Sequence, residues 1–395
     1  MVSINKDEYN FRQIASLNVV SCLSQIGQFG IGFVVIPVWL TSTGFSAKEI
    51  GFFSATQWAG MLISISIVQT IIDRIGFKLT VSLGLALSIL SFLMLNLSVS
   101  NFFYISAALS GSGIGFRWIA NETWLFQIVP KESSGKYVGF HETLIAIAGI
   151  AGPAIGSLLG PQSAVVLISG MLICMAAALP FFFMRNIKFP HEEHAEHIDA
   201  SRDKLKKWEM LFVIGICSSA IAGFGDGAFY ALFSLFSISR GINLEASGNF
   251  LIIFGIGAIA TQFLVGWLAD RIRLESVVAL CSIIGGAASL FICINLGKNY
   301  FFPIFIFILG GINSSFLTLA VYAATNAMSR SMTYRMKLIS IVFTASSAIG
   351  PFLSGYLVDY YGGEVLFVEF TVMYTIFSLI AVGLFFSKSR RLCEI

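Results

Sequence analysis

The sequence predicts an all-α polytopic membrane protein of twelve transmembrane helices, arranged as two six-helix pseudo-repeats. Three observations lead there. Of 395 residues, 56% are hydrophobic and only 11% are charged, with a mean hydropathy of +0.85. A soluble domain carries about 25% charged residues, so a soluble enzyme is excluded. High apolar content with a net charge of only +3 excludes disorder. The apolar residues run in long blocks rather than alternating, which favours helices over a membrane barrel. Short motifs then recur at one offset along the chain. The 37 Gly follow no period and the six Cys make no disulfide framework.

A spanning helix takes roughly 20 apolar residues, so twelve with short turns take about 300. That leaves room for one linker and two tails. The first half supplies spans near 14–40, 48–72, 78–98, 101–128, 136–159 and 162–185. Met1 to Arg12 is polar, and the apolar run after it is too long for the h-region of a cleavable signal. Span 1 carries Gln25-Ile-Gly27-Gln28-Phe-Gly30-Ile-Gly32 at mid-depth, and span 2 leads into Asp73-Arg74-Ile-Gly76-Phe-Lys78. Span 4 holds Arg117 and Glu122; span 5 holds His141, Glu142 and Gly152-Pro153-Ala-Ile-Gly156-Ser157. Asn186–Lys207 has the densest charge in the chain. It divides a first bundle, 1–185, from a second, 209–395, with 186–208 as a cytoplasmic linker. The second half supplies spans near 209–238, 246–269, 274–296, 300–328, 336–358 and 364–387. Span 7 contains Gly223-Phe-Gly225-Asp226-Gly227, at the depth where span 1 has its glutamines. Span 8 ends in Gly266-Trp-Leu-Ala-Asp270-Arg271-Ile-Arg273, span 11 contains Gly350-Pro351-Phe-Leu-Ser354-Gly355, and span 12 has Glu369 near its start.

Lys and Arg fix the orientation, because cytoplasmic loops carry an excess of both. With the two termini and the linker inside, 20 basic residues fall on the cytoplasmic side and three, Lys48, Arg240 and Lys298, on the other. A wrong span count would scramble that bias. The sequence pI near 8.5 therefore reflects topology and does not point to nucleic acid. The expected location is a bacterial cytoplasmic (inner) membrane.

Asp73-Arg74 and Asp270-Arg271 lie 197 residues apart, and the two Gly-Pro pairs lie 198 apart. Two unrelated motifs at nearly one offset indicate a duplicated six-helix unit, the pattern of secondary transporters that bind substrate between the halves near the membrane midplane. Over essentially its whole length the chain resembles the major facilitator superfamily. That family's loop motif, Gly-x-Leu-x-Asp-Arg-x-Gly-x-Lys, is matched at Asp73, Arg74, Gly76 and Lys78, with Gln69 at the leading Gly. The second copy matches at Gly266, Leu268, Asp270 and Arg271, with Arg273 in place of Gly. The resemblance implies that Asp73, Arg74, Asp270 and Arg271 act as a conformational latch at helix ends. Span 5 resembles the family's antiporter motif at Gly139, Gly152, Pro153 and Gly156, with Ala148 and Ser157 replacing two glycines. The region of Gly111, Gly113, Asn121, Glu122, Trp124 and Leu125, followed by Gly135, is similar to the YcaD-like bacterial group. The Arg often found four residues before the first of those glycines is Ala107 here.

Ionisable groups inside a membrane are costly unless paired or wet, which makes them functional pointers. Arg117, Glu122, Glu142 and Asp226 are the candidates for proton or substrate coupling. Glu122 points about 140° away from Arg117 on a helix, so Arg117 is expected to find a partner on another helix, with Glu142 or Asp226 the candidates. The polar, Gly-interrupted middles of spans 1 and 7 are expected to be discontinuous cavity-lining helices, with Asp226 as a desolvated proton carrier. His141 beside Glu142 is a candidate modulator. Glu369 is expected to snorkel to the outer interface. Gln25, Gln28, Gln57, Asn121, Trp124, Tyr230, Asn313 and Asn326 are the substrate-binding candidates, with Trp58 and Tyr322 beside them. His191, His194 and His197 sit among acids in the linker and are read as a solvated tract rather than a metal site. No Walker loop is present, and neither cofactor nor metal is expected.

These observations point to a monomeric secondary transporter of a small organic solute, not an enzyme, working with protons within the lipid bilayer. The primary expectation is proton-coupled export by antiport. Proton-coupled import of a nutrient or metal chelate is the alternative, and a non-transporting receptor or scaffold is a third. The topology is directly testable. A phosphatase that folds only outside the cytoplasm should stay silent when fused within 186–208 and be active when fused after Lys298.

Overall fold

The computed structural model describes residues 6–130, 134–160, 164–182, 184, 210–295, 301–327 and 332–393. They form twelve helical rods. α1 runs as Lys6–Ser24, a π-helical stretch Gln25–Val35, and Ile36–Ser42. α2 is Ala47–Ile75, α3 Phe77–Leu97, α4 Val99–Ile128, α5 Ser134–Leu159 and α6 Val165–Ala178 with a 3₁₀ turn Leu179–Phe182. α7 is Met210–Ser239, α8 Leu244–Ala269, α9 Leu274–Asn295, α10 Phe302–Asn326, α11 Met332–Tyr361 and α12 Val365–Cys393. Nine rods are long and apolar enough over their described residues to cross a membrane; α5 and α6 contribute the shorter apolar stretches Thr143–Leu159 and Val165–Phe181. α4 is less apolar because it carries Arg117, Asn121 and Glu122. The 186–208 linker, with its three histidines, lies outside the described residues.

The repeat seen in the sequence governs the packing. α2 and α3 both pack on α4, α1 on α5 and α3 on α6; α8 and α9 pack on α10, α7 on α11 and α9 on α12. The same small residues make the contacts. A methyl on Gly60 of α2 would lie 2.6 Å from the Ala108 carbonyl of α4, and one on Gly111 of α4 would lie 1.7 Å from the Gln57 carbonyl of α2. In the second half the same distances are 2.0 Å from Gly257 to the Phe307 carbonyl and 2.1 Å from Gly310 to the Phe254 carbonyl. Small residues let backbones meet where no hydrophobic force drives helices together in lipid. Helix starts repeat as well. Gly44 and Gly241, with φ of +88° and +73°, make the turns before α2 and α8. Two residues on, Ser46 caps α2 in a capping box with Glu49, and Asn243 Oδ1 caps α8 by accepting from the Ala246 N–H at 2.7 Å. Ser46 and Asn243 again lie 197 residues apart.

We call the end with these caps the capped end. There the two halves meet most closely between α2 and α11. A methyl on Gly51 would lie 2.1 Å from the Pro351 carbonyl, Phe52 packs edge-on against Phe352 at 4.8 Å, and Lys48 sits 4.5 Å over the Tyr356 ring. Thr41 and Ser234 share a hydrogen bond at 3.0 Å, and Ser157 donates to Asn249 at 3.3 Å. Trp58 against Phe343, at 6.1 Å, carries the α2–α11 contact to mid-depth.

One expectation is corrected. α1 is interrupted, as a π-helix, but α7 is an unbroken α-helix. The glycines of α7 serve packing: methyls on Gly223 and Gly227 would each lie 2.2 Å from an α11 carbonyl, those of Phe343 and Ser347. In α1, Gly30 instead faces Gly152 of α5, where a methyl on Gly152 would come within 2.3 Å of the Gly30 Cα, whereas one on Gly149 would meet nothing within 4 Å. Gly152→Ala should therefore cost about 1–3 kcal/mol by overpacking and lower the thermal midpoint in detergent. Gly149→Ala should leave that midpoint unchanged.

Candidate functional site

Arg117 of α4 is fully buried in the first half. Its Nε donates to Gln28 Oε1 at 2.7 Å and its Nη2 to Gln25 Oε1 at 3.2 Å, both on the π-helical stretch of α1. Gln28 is itself fixed, since its Nε2 donates to Ser88 Oγ at 2.7 Å and the Gly84 carbonyl at 3.3 Å on α3. Gly84 lies so close that a methyl there would stand 2.6 Å from the Arg117 backbone nitrogen. The hydrogen bonds of this buried cation thus go to amides, with Glu122 acting on it through charge alone, and its Nη1 has no hydrogen-bond partner among the described residues. This corrects the expectation that Asp226 pairs with it; the Glu142 side chain, the other candidate, lies outside those described.

Asp226 belongs to a matching network in the second half. Asn313 of α10 donates through Nδ2 to Asp226 Oδ1 at 2.7 Å and to the Ala222 carbonyl at 3.2 Å. Tyr374 of α12 donates its hydroxyl to Asn313 Oδ1 at 3.0 Å, which fixes the amide with its N–H groups toward α7. Gly225 makes room, since a methyl there would lie 2.0 Å from Asn313 Oδ1. Asp226 makes no ion pair among the described residues and keeps partial exposure. Tyr374 and Ser88 escaped the sequence reading, because tyrosines and serines in apolar spans carry no distinguishing pattern.

A third cluster lies between α1, α4 and α5. Glu122 accepts a short hydrogen bond from Trp118 Nε1, and His141 Nε2 stands 3.8 Å from Glu122 Oε1. His141 Nδ1 is 2.9 Å from Asn18 Oδ1. Asn121 ties α4 to α1, donating to Ser21 Oγ at 2.5 Å and the Leu17 carbonyl at 3.2 Å. Trp124 is wholly buried, near Phe77 and stacked with Phe181, so it fills the core of the first half and is absent from the walls of the two cavities described below. Asn326 is exposed at the end of α10, bonded to the Tyr322 carbonyl, away from mid-depth. Glu369 does not reach to the interface: its Oε2 accepts from Ser354 Oγ of α11 at 2.5 Å and its Oε1 is buried. Glu142 lies on α5 one turn before Ile145 and Ala146; its side chain lies outside those described.

Two cavities separate the halves. One, a narrow gap, lies between α1, α2 and α7 and includes Gln57 and Trp58 in its walls. The other, clearly larger, lies between α1, α5, α7 and α8. Phe29 and Tyr230 line both, packed edge to face at 6.0 Å, and divide them. The polar side chains of the larger cavity are Gln25, Tyr230 and Gln262. Of the substrate-binding candidates, Gln25, Gln57 and Tyr230 therefore reach a cavity wall, while Gln28 and Asn313 stand in the networks behind. Gln262 was legible as a lone amide within an apolar span; Phe29 was one phenylalanine among 38.

The arrangement is two helical halves, each with a buried polar group on its fourth helix reaching its first, around a cavity at their seam. The family model described as Major Facilitator Superfamily matches residues 17–248 and again 215–392. The chain belongs to the Major Facilitator Superfamily. Among curated relatives, the uncharacterized MFS-type transporter YfkF of Bacillus subtilis (strain 168) is 23% identical over 363 residues, covering 90% of this chain and 91% of that one. The uncharacterized MFS-type transporter YcaD of Escherichia coli O17:K52:H18 (strain UMN026 / ExPEC) is 22% identical over 339 residues, covering 85% and 86%. Among solved structures, the nucleoside transporter NupG superposes with a TM-score of 0.73 at 13% identity, covering 94% of this chain and 99% of that one. A D-xylose-proton symporter does so with a TM-score of 0.73 at 14% identity, covering 94% and 97%. As a facilitator, the chain is a multi-pass membrane transporter.

The superfamily's loop motif lies at the end opposite the caps. Asp73 Oδ1 accepts from Gln69 Nε2 at 2.9 Å, so the residue that replaces the usual glycine is bonded to the aspartate one turn later. In the second copy Asp270 forms the C-cap of α8, and Arg271 stacks on Trp267 at 3.9 Å. Within the first half, the amide cap of Arg117 gives a measurable expectation. Gln28→Leu should cost about 1.5–3 kcal/mol, the value of a hydrogen bond to a charged group, read as a lowered thermal midpoint. Adding Arg117→Met should restore part of that loss by removing the unpaired charge.

Proposed function

We propose that this facilitator exports a small organic solute from the cytoplasm in exchange for protons, across a bacterial inner membrane, with both of its termini inside. Asp226 carries the reading: a carboxyl at mid-depth on α7, partly exposed, held on one oxygen by the neutral Asn313. Such a group can gain or lose a proton without breaking an ion pair. Arg117 cannot do the equivalent work, because it is wholly buried under its amides.

The orientation drawn from the Lys and Arg bias supports the direction. It places the capped end outside, so the close contacts around Gly51 and Pro351 shut the outer face. The larger cavity, which extends along α8 from Leu251 to Gln262, would then accept solute from within. Solute binding near Tyr230, one helical turn from Asp226, would favour proton release, and the halves would rock about the Phe29–Tyr230 level to exchange the exposed side. The latch residues Asp73, Arg74, Asp270 and Arg271 would bias that equilibrium from the cytoplasmic loops. Likeness of the Gly152-Pro153 region to the antiporter motif adds to the export reading, although its close contact with Gly30 is also plain helix packing.

The test uses inverted vesicles with an imposed proton gradient and a pH-reporting dye. Addition of a transported solute should collapse the gradient, and Asp226→Asn should reduce the response to that of empty vesicles while leaving the protein monodisperse. A response that survives Asp226→Asn would remove Asp226 from the coupling step. Acidification driven by solute uptake in right-side-out vesicles, with no response in inverted ones, would establish import instead.

A further inference from the structure

The two seams between the halves are built differently, and the difference bears on what the larger cavity holds. The α2–α11 seam is closed by backbone contact at Gly51 and by aromatic contact down to Trp58 and Phe343. The α5–α8 seam meets at Ser157 with Asn249 and at Ile150 with Gly255, where a methyl on the glycine would stand 3.3 Å from the isoleucine. Beyond that point, away from the capped end, the cavity takes the place of contact, and its walls there are Ile145, Ala146, Ala258 and Ile259. Ile259 is 41% exposed, and the neighbouring Ile147 and Ile256 are 57% and 45% exposed on the flanks of the same helices. At this depth in a membrane protein the medium on those flanks is lipid.

The chemistry of the walls is equally specific. Among the described residues the cavity has no Asp, Glu, His, Lys or Arg in its lining. Gln25 turns its Oε1 to Arg117, so the group it offers the cavity is its amide N–H₂. Gln262 and the Tyr230 hydroxyl are the other hydrogen-bonding groups. An ion placed here would lose its water and gain only neutral dipoles, which is costly. An apolar body with a carbonyl or ether oxygen would bury its carbon skeleton against the isoleucines and accept from Gln25.

We propose that the α5–α8 cavity binds an uncharged, largely apolar solute bearing a hydrogen-bond acceptor, and that it draws this solute from the bilayer through the α5–α8 seam. The inference rests on the transporter reading and narrows it to a substrate class.

The experiment uses the full-length protein reconstituted in lipid nanodiscs and three tritiated benzophenone photolabels: the uncharged 4-benzoyl-N-hexylbenzamide, its trimethylammonium analogue, and the uncharged, water-soluble glucamide in which glucitylamine replaces hexylamine. The hexyl amide should label α5 and α8, with adducts mapping near Ile145 and Ala258, and the other two should not. Gly149→Phe should abolish that labelling, because Gly149 lines the cavity and has open space in front of it. Ala258→Trp, from the opposite wall, provides the same block should the first variant fail to fold, as judged by gel filtration. Labelling by the glucamide that equals the hexyl amide would overturn the bilayer route. Labelling by the cationic analogue that is lost in Glu142→Gln would overturn the uncharged class, as would hexyl-amide labelling unchanged by either cavity-filling variant. The transporter reading fails separately. If the hexyl amide labels the cavity but no compound of its class moves protons in the vesicle assay, the site stands and the coupling falls.

Discussion

Arg117 must keep its charge satisfied inside a bundle that sits in lipid, and much of the first half is arranged around that requirement. An unpaired guanidinium there would carry a desolvation cost of several kcal/mol. Two glutamines of α1 take its N–H groups, and a serine of α3 holds the second glutamine in place. The backbone of α3 comes close enough at Gly84 that no side chain fits. The part of α1 that carries both glutamines is π-helical, a geometry that favours functional sites because it is otherwise uncommon. Gly27, Gly30 and Gly32 let this wider stretch pack against α6, α5 and α4. Removing the arginine would leave all these features without a common cause.

The second half uses the same positions with other chemistry. Arg117 and Asn313 are 196 residues apart, and Gln28 and Asp226 are 198 apart, close to the offset of the repeated motifs. In each half the fourth helix reaches across to the first. In one the reaching group is a cation and the receiving group an amide; in the other an amide reaches to an acid. One half thus places a cation at this contact and the other an acid. The seams differ too. Gly51 and Gly355 allow α2 and α11 to touch by backbone, whereas Ile150 keeps α5 from Gly255 by a side chain and leaves room below.

The sequence made the fold legible because its signals are local or periodic. Span lengths, the charge bias and the 197-residue offset each depend on residues near one another or on regular recurrence. Even the caps at Ser46 and Asn243 follow that offset. Partners were not legible, because they join residues distant in the chain: Arg117 meets Gln28 from 89 positions away, and Asp226 meets Asn313 from 87. A charge in a span announces itself, but nothing in the sequence says which amide will meet it. Glycine was ambiguous for a related reason. In α1 it accompanies a changed helix, and in α7 it makes room for α11, so similar Gly-rich stretches had opposite structural meanings. Trp124 and Asn326 show the limit of reading depth from span position alone: one belongs to the packed core and the other to a helix end.

On the proposed proton-coupled reading, the unequal holding of Arg117 and Asp226 favours the second half as the one that responds to protons. Releasing Arg117 from its amides would forfeit two hydrogen bonds to a charge, each worth about 1.5–3 kcal/mol. Asp226 loses much less on protonation: a neutral carboxyl can still accept from Asn313 through its carbonyl oxygen, and Tyr374 keeps that amide aimed at it in either form. A cycle that uses the cheaper of the two changes would keep the first half as a rigid wall. The second half would then supply the group that senses solute, one helical turn from Tyr230, at the level where Phe29 and Tyr230 divide the two cavities.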